Sequence, residues 1–177
     1  MGAGGFTGPL RVDDMGVAPG QPNVVAISRR NTCCSPRHEG VAIYDNGVIR
    51  TNVTASHTGA NAIEFSDSPT LLYGYNNETT EFGFRRLTVD ASGVTVTSNT
   101  QGLLGGFSTD IEFANGRIYA TTGRVIDPEL GTLLGTFTTN ANVVSMAVDT
   151  TLGRIFMLSS NFGSPPVTLT AFDLNTF

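Results

Sequence analysis

Four carboxylates stand at positions that recur along the chain. Asp14 and Asp110 each precede an apolar residue, Met15 and Ile111, while Glu64 and Glu112 each sit between two apolar residues, in Ile63-Glu64-Phe65 and Ile111-Glu112-Phe113. Acids interleaved with strand-forming apolar residues are costly to bury without a partner. Brought together, such a set could hold a divalent cation or a basic group. The competing expectation is that each pairs with one of Arg11, Arg85, Arg86 and Arg117.

The remaining reactive side chains are sparse. Arg37, His38 and Glu39 fall in one predicted loop, residues 33–40, and His57 falls in another. A His–Glu pair can do acid–base work, and two His with a carboxylate can bind a metal. Only two His are present, however, and neither a His-x-His nor a His-x-x-x-His spacing occurs. The two cysteines, Cys33 and Cys34, are adjacent, which rules out a disulfide framework and cannot complete a zinc tetrahedron. Three readings stay open for them: one buried and one tolerated thiol, a vicinal disulfide, or a bond to another chain. A catalytic thiol is not expected. There is no Gly-x-Ser-x-Gly elbow and no phosphate-binding Gly-rich loop. The polar run of residues 76–86 is the longest insertion within a repeat and a candidate contact surface.

The elements that must carry these residues are repeated. Met15, Ile63, Ile111 and Met146 each lead an apolar–x–apolar strand followed by a turn and a second apolar strand, at intervals of 48, 48 and 35 residues. A second marker keeps the same order. Asp45, Asp90, Asp127 and Asp173 each close a strand, at intervals of 45, 37 and 46, and a turn follows, such as Asn46-Gly47 or Ser92-Gly93. Asn-Gly supplies the positive φ of a two-residue hairpin, and an Asp side chain can accept from the backbone N–H groups of its own turn. Four short strands per 35–48 residues is the period of a propeller blade. The fold class is therefore all-β, a propeller or partial propeller of four blades over residues 10–59, 60–106, 107–141 and 142–177, a single unit over 1–177. The last blade lacks its outer strand, giving fifteen strands. A Gly-rich stretch with Pro9, residues 4–9, is a poor closing strand.

This pattern resembles the YVTN and quinoprotein-like β-propellers of secreted bacterial proteins, best at Asp127-Pro128-Glu129-Leu130-Gly131-Thr132-Leu133-Leu134-Gly135-Thr136-Phe137. The resemblance implies a secreted, surface or periplasmic setting and places the inner strands, with Asp14, Glu64, Asp110 and Glu112, along a central channel. It implies no cofactor beyond a divalent cation. A complete toroid would usually carry more blades.

Composition narrows the partners. Charged residues are 14% of the chain, well below the roughly 25% of an average domain. There is no Lys, beside 24 Thr and 21 Gly. A net charge of −5 argues against nucleic acid. No apolar run approaches a membrane span, and no leader is recognisable at the start. The expected function is a non-catalytic scaffold or binding module for a protein or carbohydrate ligand, a fragment of a larger propeller of a secreted or surface protein, with part of a propeller oxidoreductase or hydrolase, its site at the channel mouth, as the alternative. Self-association through open blade edges is also expected, because the blades at the two ends each have a side without a neighbour.

Overall fold

A computed structural model of the chain describes residues 8–139, 142–161 and 164–177. Among these residues there is no helix, and fifteen strands form four antiparallel sheets. Blade one holds β1 (Arg11–Val17), β2 (Val24–Arg30), β3 (His38–Asp45) and β4 (Val48–Ile49) in that order. Blade two holds β5 (Ala62–Phe65), β6 (Leu71–Tyr75), β7 (Phe84–Asp90) and β8 (Gly93–Thr100). Blade three holds β9 (Ile111–Ala114), β10 (Arg117–Ala120), β11 (Arg124–Asp127) and β12 (Thr132–Thr136). Blade four has three strands, β13 (Val143–Asp149), β14 (Arg154–Asn161) and β15 (Ser164–Asp173). This is the all-β, four-blade propeller that the doubled markers predict, with the fourth outer strand missing. Residues 4–7 of the stretch weighed as a closing strand lie outside the described residues.

Turn chemistry sets the hairpins. Asn46 and Gly47 have φ of 49° and 80°, the pair of positive values that a two-residue turn between twisted strands needs. At other turns the closing Asp takes over, in the two-residue turn after Asp90 as in the longer one after Asp127. Asp127 Oδ1 accepts from the N–H groups of Glu129 and Leu130, both at 2.9 Å, and Asp90 Oδ1 accepts from those of Ser92 (2.7 Å) and Gly93 (3.1 Å). Asp173 does the same for Asn175 at 2.8 Å. Asp45, beside the Asn46-Gly47 turn, instead accepts from Asn46 Nδ2 and Arg50 Nη2.

Each sheet has two faces, and alternation along the strand sends each face to a different neighbour. Val24, Ala26, Val41 and Ile43 of blade one pack on Ile63, Phe65, Leu72 and Leu87 of blade two. On the opposite face of blade two, Ala62, Tyr73, Tyr75 and Phe84 pack on Ile111, Ile118 and Ile126 of blade three. Tyr119, Val125 and Phe137 of blade three then pack on Ile155 and Met157 of blade four. Three inter-blade cores result. The inner strands follow one another, β1 against β5, β5 against β9, β9 against β13, and no comparable packing returns from β13 to β1 among the described residues.

Candidate functional site: an acid-rich channel mouth

The inner strands bring the four recurring acids close enough to interact. Asp14 Oδ2 accepts from Ile63 N–H on the next blade at 2.7 Å, and its Oδ1 accepts from Met15 N–H at 2.8 Å. Glu112 Oε1 reaches the same way from blade three to Val148 N–H of blade four, at 3.0 Å. Asp110 Oδ1 accepts from Ile111 N–H at 3.0 Å. Glu64 makes neither hydrogen bond nor ion pair among the described residues. The predicted arginine partners go elsewhere: Arg85 pairs with Glu81, Arg86 with Glu129, and Arg117 donates to Leu174 O. For Asp14 and Glu112 a backbone N–H of the next blade takes the place of a cation, while Arg86, which register puts on the same face of blade two as Glu64, is held by Glu129.

The electrostatics record the missing cations. Burial pushes the Glu64 carboxyl up to about 8, reinforced by Asp14, Glu112 and Asp110. Burial also raises Asp14, against its two backbone hydrogen bonds, with Asp110 and Asp13 adding repulsion. Asp110 and Glu112 are raised chiefly by burial as well. Glu64 is thus mostly protonated at neutral pH, and the cluster carries less than its formal charge.

Asp14 and Asp110 open onto one cavity of about 540 Å³, lined also by Asp13, Arg30, Arg37, Asn61, Glu78, Phe107, Ser108 and Val144. All four blades or the loops after them contribute. Glu64 and Glu112 do not line this cavity; Glu112 bridges to blade four, and Glu64 interacts electrostatically with Asp14, Glu112 and Asp110. Two of the lining acids are neutralised, Asp13 by Arg30 (3.4 Å) and Glu78 by Arg37 (2.8 Å). Asn61 Nδ2 ties these pairs together by donating to Asp13 Oδ2 at 3.2 Å and Glu78 Oε2 at 3.5 Å. Asp14 and Asp110 are left without a cation. Sequence reasoning misses Asp13, Arg30 and Asn61, whereas Asn77 and Glu78 belong to the polar run of residues 76–86 expected as a contact surface. The doubled Asp13-Asp14 is the available hint, whereas Arg37 and Glu78 meet across a wide sequence separation that leaves none.

The other candidates disperse. His38 does not lie in a loop but opens β3, with only 1% of its surface exposed. Neither ring nitrogen has a hydrogen-bond partner, and Gly59 lies directly against the ring. Burial first, and the Arg85 and Arg29 cations next, hold His38 down at about 4, so it is neutral at pH 7. His57 meets it only through the backbone, donating its N–H to His38 O at 2.8 Å. Glu39, also within β3, accepts from Asn31 Nδ2 at 3.0 Å. Among the described residues no three His, Cys, Asp or Glu stand in an arrangement that could hold a metal ion. Cys33 and Cys34 are joined by a disulfide, and Asn31 Oδ1 accepts from both of their N–H groups. The polar run of residues 76–86 is a folded turn that leads into β7: Asn76 Oδ1 accepts from Glu78 and Thr79 N–H, and Glu81 accepts from Asn76, Gly83, Arg85 and Asn99.

Fold and site together define a β-propeller with an acid-rich channel mouth. No protein-family model matches the chain, and no curated protein matches it. Among solved structures it is similar to a protein from Lactobacillus plantarum, at 13% identity and a TM-score of 0.49. The match covers 92% of this chain and 55% of that one, so this chain spans about half the length of its structural neighbour. No residue role is carried across from it.

Proposed function

We infer that this chain is a non-catalytic propeller module that binds a basic group, an ammonium or guanidinium, at the mouth of its channel. The observation that supports this is the pair Asp14 and Asp110: blades one and three present them to one cavity, Asp14 half-buried and repelled by the more exposed Asp110, and neither makes an ion pair among the described residues. A buried basic group would relieve that repulsion and draw both carboxyls back toward their ordinary range. A cavity of about 540 Å³ has the room for an organic cation, such as a basic side chain of a protein ligand, and is far larger than a bare divalent ion needs. The non-catalytic part of the reading is supported by the cavity lining, where both arginines are already paired with Asp13 and Glu78 and Ser108 is the one hydroxyl among the lining residues. Membership of the YVTN and quinoprotein-like group, and a secreted or surface location, belong to the same reading. Low charge, absent Lys and the paired cysteines are in keeping with it.

Thermal unfolding with and without putrescine, a basic peptide, Ca²⁺ or Mg²⁺ tests the inference. A ligand that binds only the folded chain raises the midpoint with concentration. The organic cations should do so for the wild type and not for an Asp14→Asn, Asp110→Asn double variant, which keeps the backbone acceptors. A response to the divalent ions alone would reassign the site to a metal. No response to any of them would remove the binding function from this cavity.

A further inference from the structure

The repeat assigns every inner-strand position a neighbour. Ile63 and Phe65, Ile111 and Phe113, and Met146 and Val148 all pack on the blade before them. Their counterparts in blade one are Met15 and Val17, which have no preceding blade and are 65% and 58% exposed. Val25 and Ile27, paired with them across β2, are only half-buried. At the other end, register makes Phe156, Leu158 and Leu169 the counterparts of Tyr73, Tyr75 and Phe84, which pack on the blade that follows. In blade four that face is open, with Leu169 66% and Val167 58% exposed. Blades one and four thus carry the two halves of a joint that is made three times between the other blade faces, and these two halves share no core among the described residues.

We propose that the two halves meet between copies: the open face of blade four in one chain packs on the open face of blade one in a second, and the reciprocal joint closes an eight-blade ring. The interface continues the internal joints, since the residues presented at each end are those the repeat already uses to pack blade on blade. A head-to-tail joint of this kind closes into a ring when the rotation per chain divides a full turn, and two copies make the smallest such ring. A second copy fits as the occupant because each copy supplies both faces, built from the same inner-strand and second-strand positions that meet in the three internal joints.

Sedimentation velocity and equilibrium on the chain between nanomolar and high micromolar concentration read the outcome. A concentration-dependent dimer with no larger species is expected. Met15→Glu and Leu169→Glu change residues that are exposed in the single chain, so folding should be retained by circular dichroism, while each should raise the dimer dissociation constant on the order of 100-fold or more by placing a charge in the joint. Mixed, the two variants should recover a weaker one-joint heterodimer, because one carries an intact blade-four face and the other an intact blade-one face. Dimerisation of either variant alone at wild-type strength would mean that like faces pair, and would overturn the head-to-tail ring. A folded monomer at every concentration would give the faces another occupant, such as further blades, and would overturn the proposal outright. Neither result bears on ligand binding by Asp14 and Asp110, which the single chain presents on its own.

Discussion

Blades two and four use the same strand pattern and end with different surfaces. Tyr73 and Tyr75 of blade two are almost completely buried, with Tyr73 stacked on Phe84 and Phe113 at 5.7 and 5.6 Å between ring centroids. Phe156 and Leu158, at the matching register positions of blade four, are half-buried only. The preceding-blade sides are alike: Leu72 and its counterpart Ile155 both have no exposed surface. A residue's place in the repeat therefore does not decide whether it is core. The presence of a following blade does. Blade two is clamped on both faces, and blade four on one, which makes blade four the natural first region to open.

The largest test of this difference is a pair of truncations. Tyr73→Ala should cost about 3–5 kcal/mol, the range for removing a buried aromatic ring. Phe156→Ala, measured by urea unfolding at concentrations where the chain is monomeric, should cost less, about 2 kcal/mol, since part of that ring already meets water. Equal losses would mean that the two blades are equally enclosed.

The residue between the two inner-strand apolar positions sharpens the contrast: Glu64 in blade two, Glu112 in blade three, Ala147 in blade four. The folded state holds the Glu64 proton up to about pH 8, whereas the unfolded carboxyl releases it near 4.5. The folded chain therefore binds more protons across that window, and stability falls as pH rises through it. Glu64→Gln should stabilise by about 3 kcal/mol at pH 7, with the gain vanishing below pH 4.5. A pH-independent gain, or none, would show that Glu64 is ionised in the folded chain.

The polar end of the joint between blades one and two responds in the opposite sense. His38 stays neutral in the folded chain down to about pH 4 and takes a proton near 6.5 when unfolded. Its contribution is complete above pH 6.5 and is lost as pH falls toward 4, by up to about 3 kcal/mol. Arg29, Arg85 and Glu78 are the charges that face it. Urea midpoints between pH 7.5 and 4.5 should fall more steeply for the wild type than for His38→Gln. Parallel curves would mean that the imidazole reaches solvent or a proton acceptor.

Fold was legible in this sequence because its signals are local and repeated. Asn46-Gly47 and the Asp127 turn each specify a hairpin within a few residues, and four copies in order leave little room for another topology. Asn115-Gly116, with φ of 50° and 73°, is a further hairpin of the same kind between β9 and β10. The site was legible only in part. Asp14 and Asp110 could be placed by the repeat, but which face each acid takes depends on the strand's alternation, and Glu64 and Glu112 do not line the cavity onto which those two open. His38 was misplaced for a related reason. Arg37-His38-Glu39 is polar throughout and reads as loop, yet β3 begins there because Arg30 pairs with His38 across the sheet. Long-range pairs such as Arg30 with Asp13 and Arg37 with Glu78 have no sequence signature, since neither partner's spacing is set by a local turn.

The smallest expected effect lies where blade three reaches back to blade two. Glu129, in the turn after β11, accepts from Arg86 Nη2 at 2.6 Å and Nε at 3.0 Å, and from the Tyr73 hydroxyl at 2.7 Å. Blade four offers nothing comparable, because Phe156 and Ala171 stand where Tyr73 and Arg86 do. Glu129 is half exposed, so its ion pair with Arg86 should be worth no more than about 1 kcal/mol despite the two-pronged geometry. The Tyr73 ring is buried, however, and its hydroxyl needs an acceptor. Glu129→Gln keeps an oxygen for that hydroxyl while removing the charge, and should cost less than about 1 kcal/mol, a loss that shrinks in high salt. Glu129→Ala also strips the acceptor and should cost about 1–2 kcal/mol. Repeating Glu129→Ala in a Tyr73→Phe background isolates the hydroxyl's share, with a coupling of about 0.5–1 kcal/mol expected. A coupling of zero would mean that water serves Tyr73 as well as Glu129 does, and that blade two is held to blade three by packing alone.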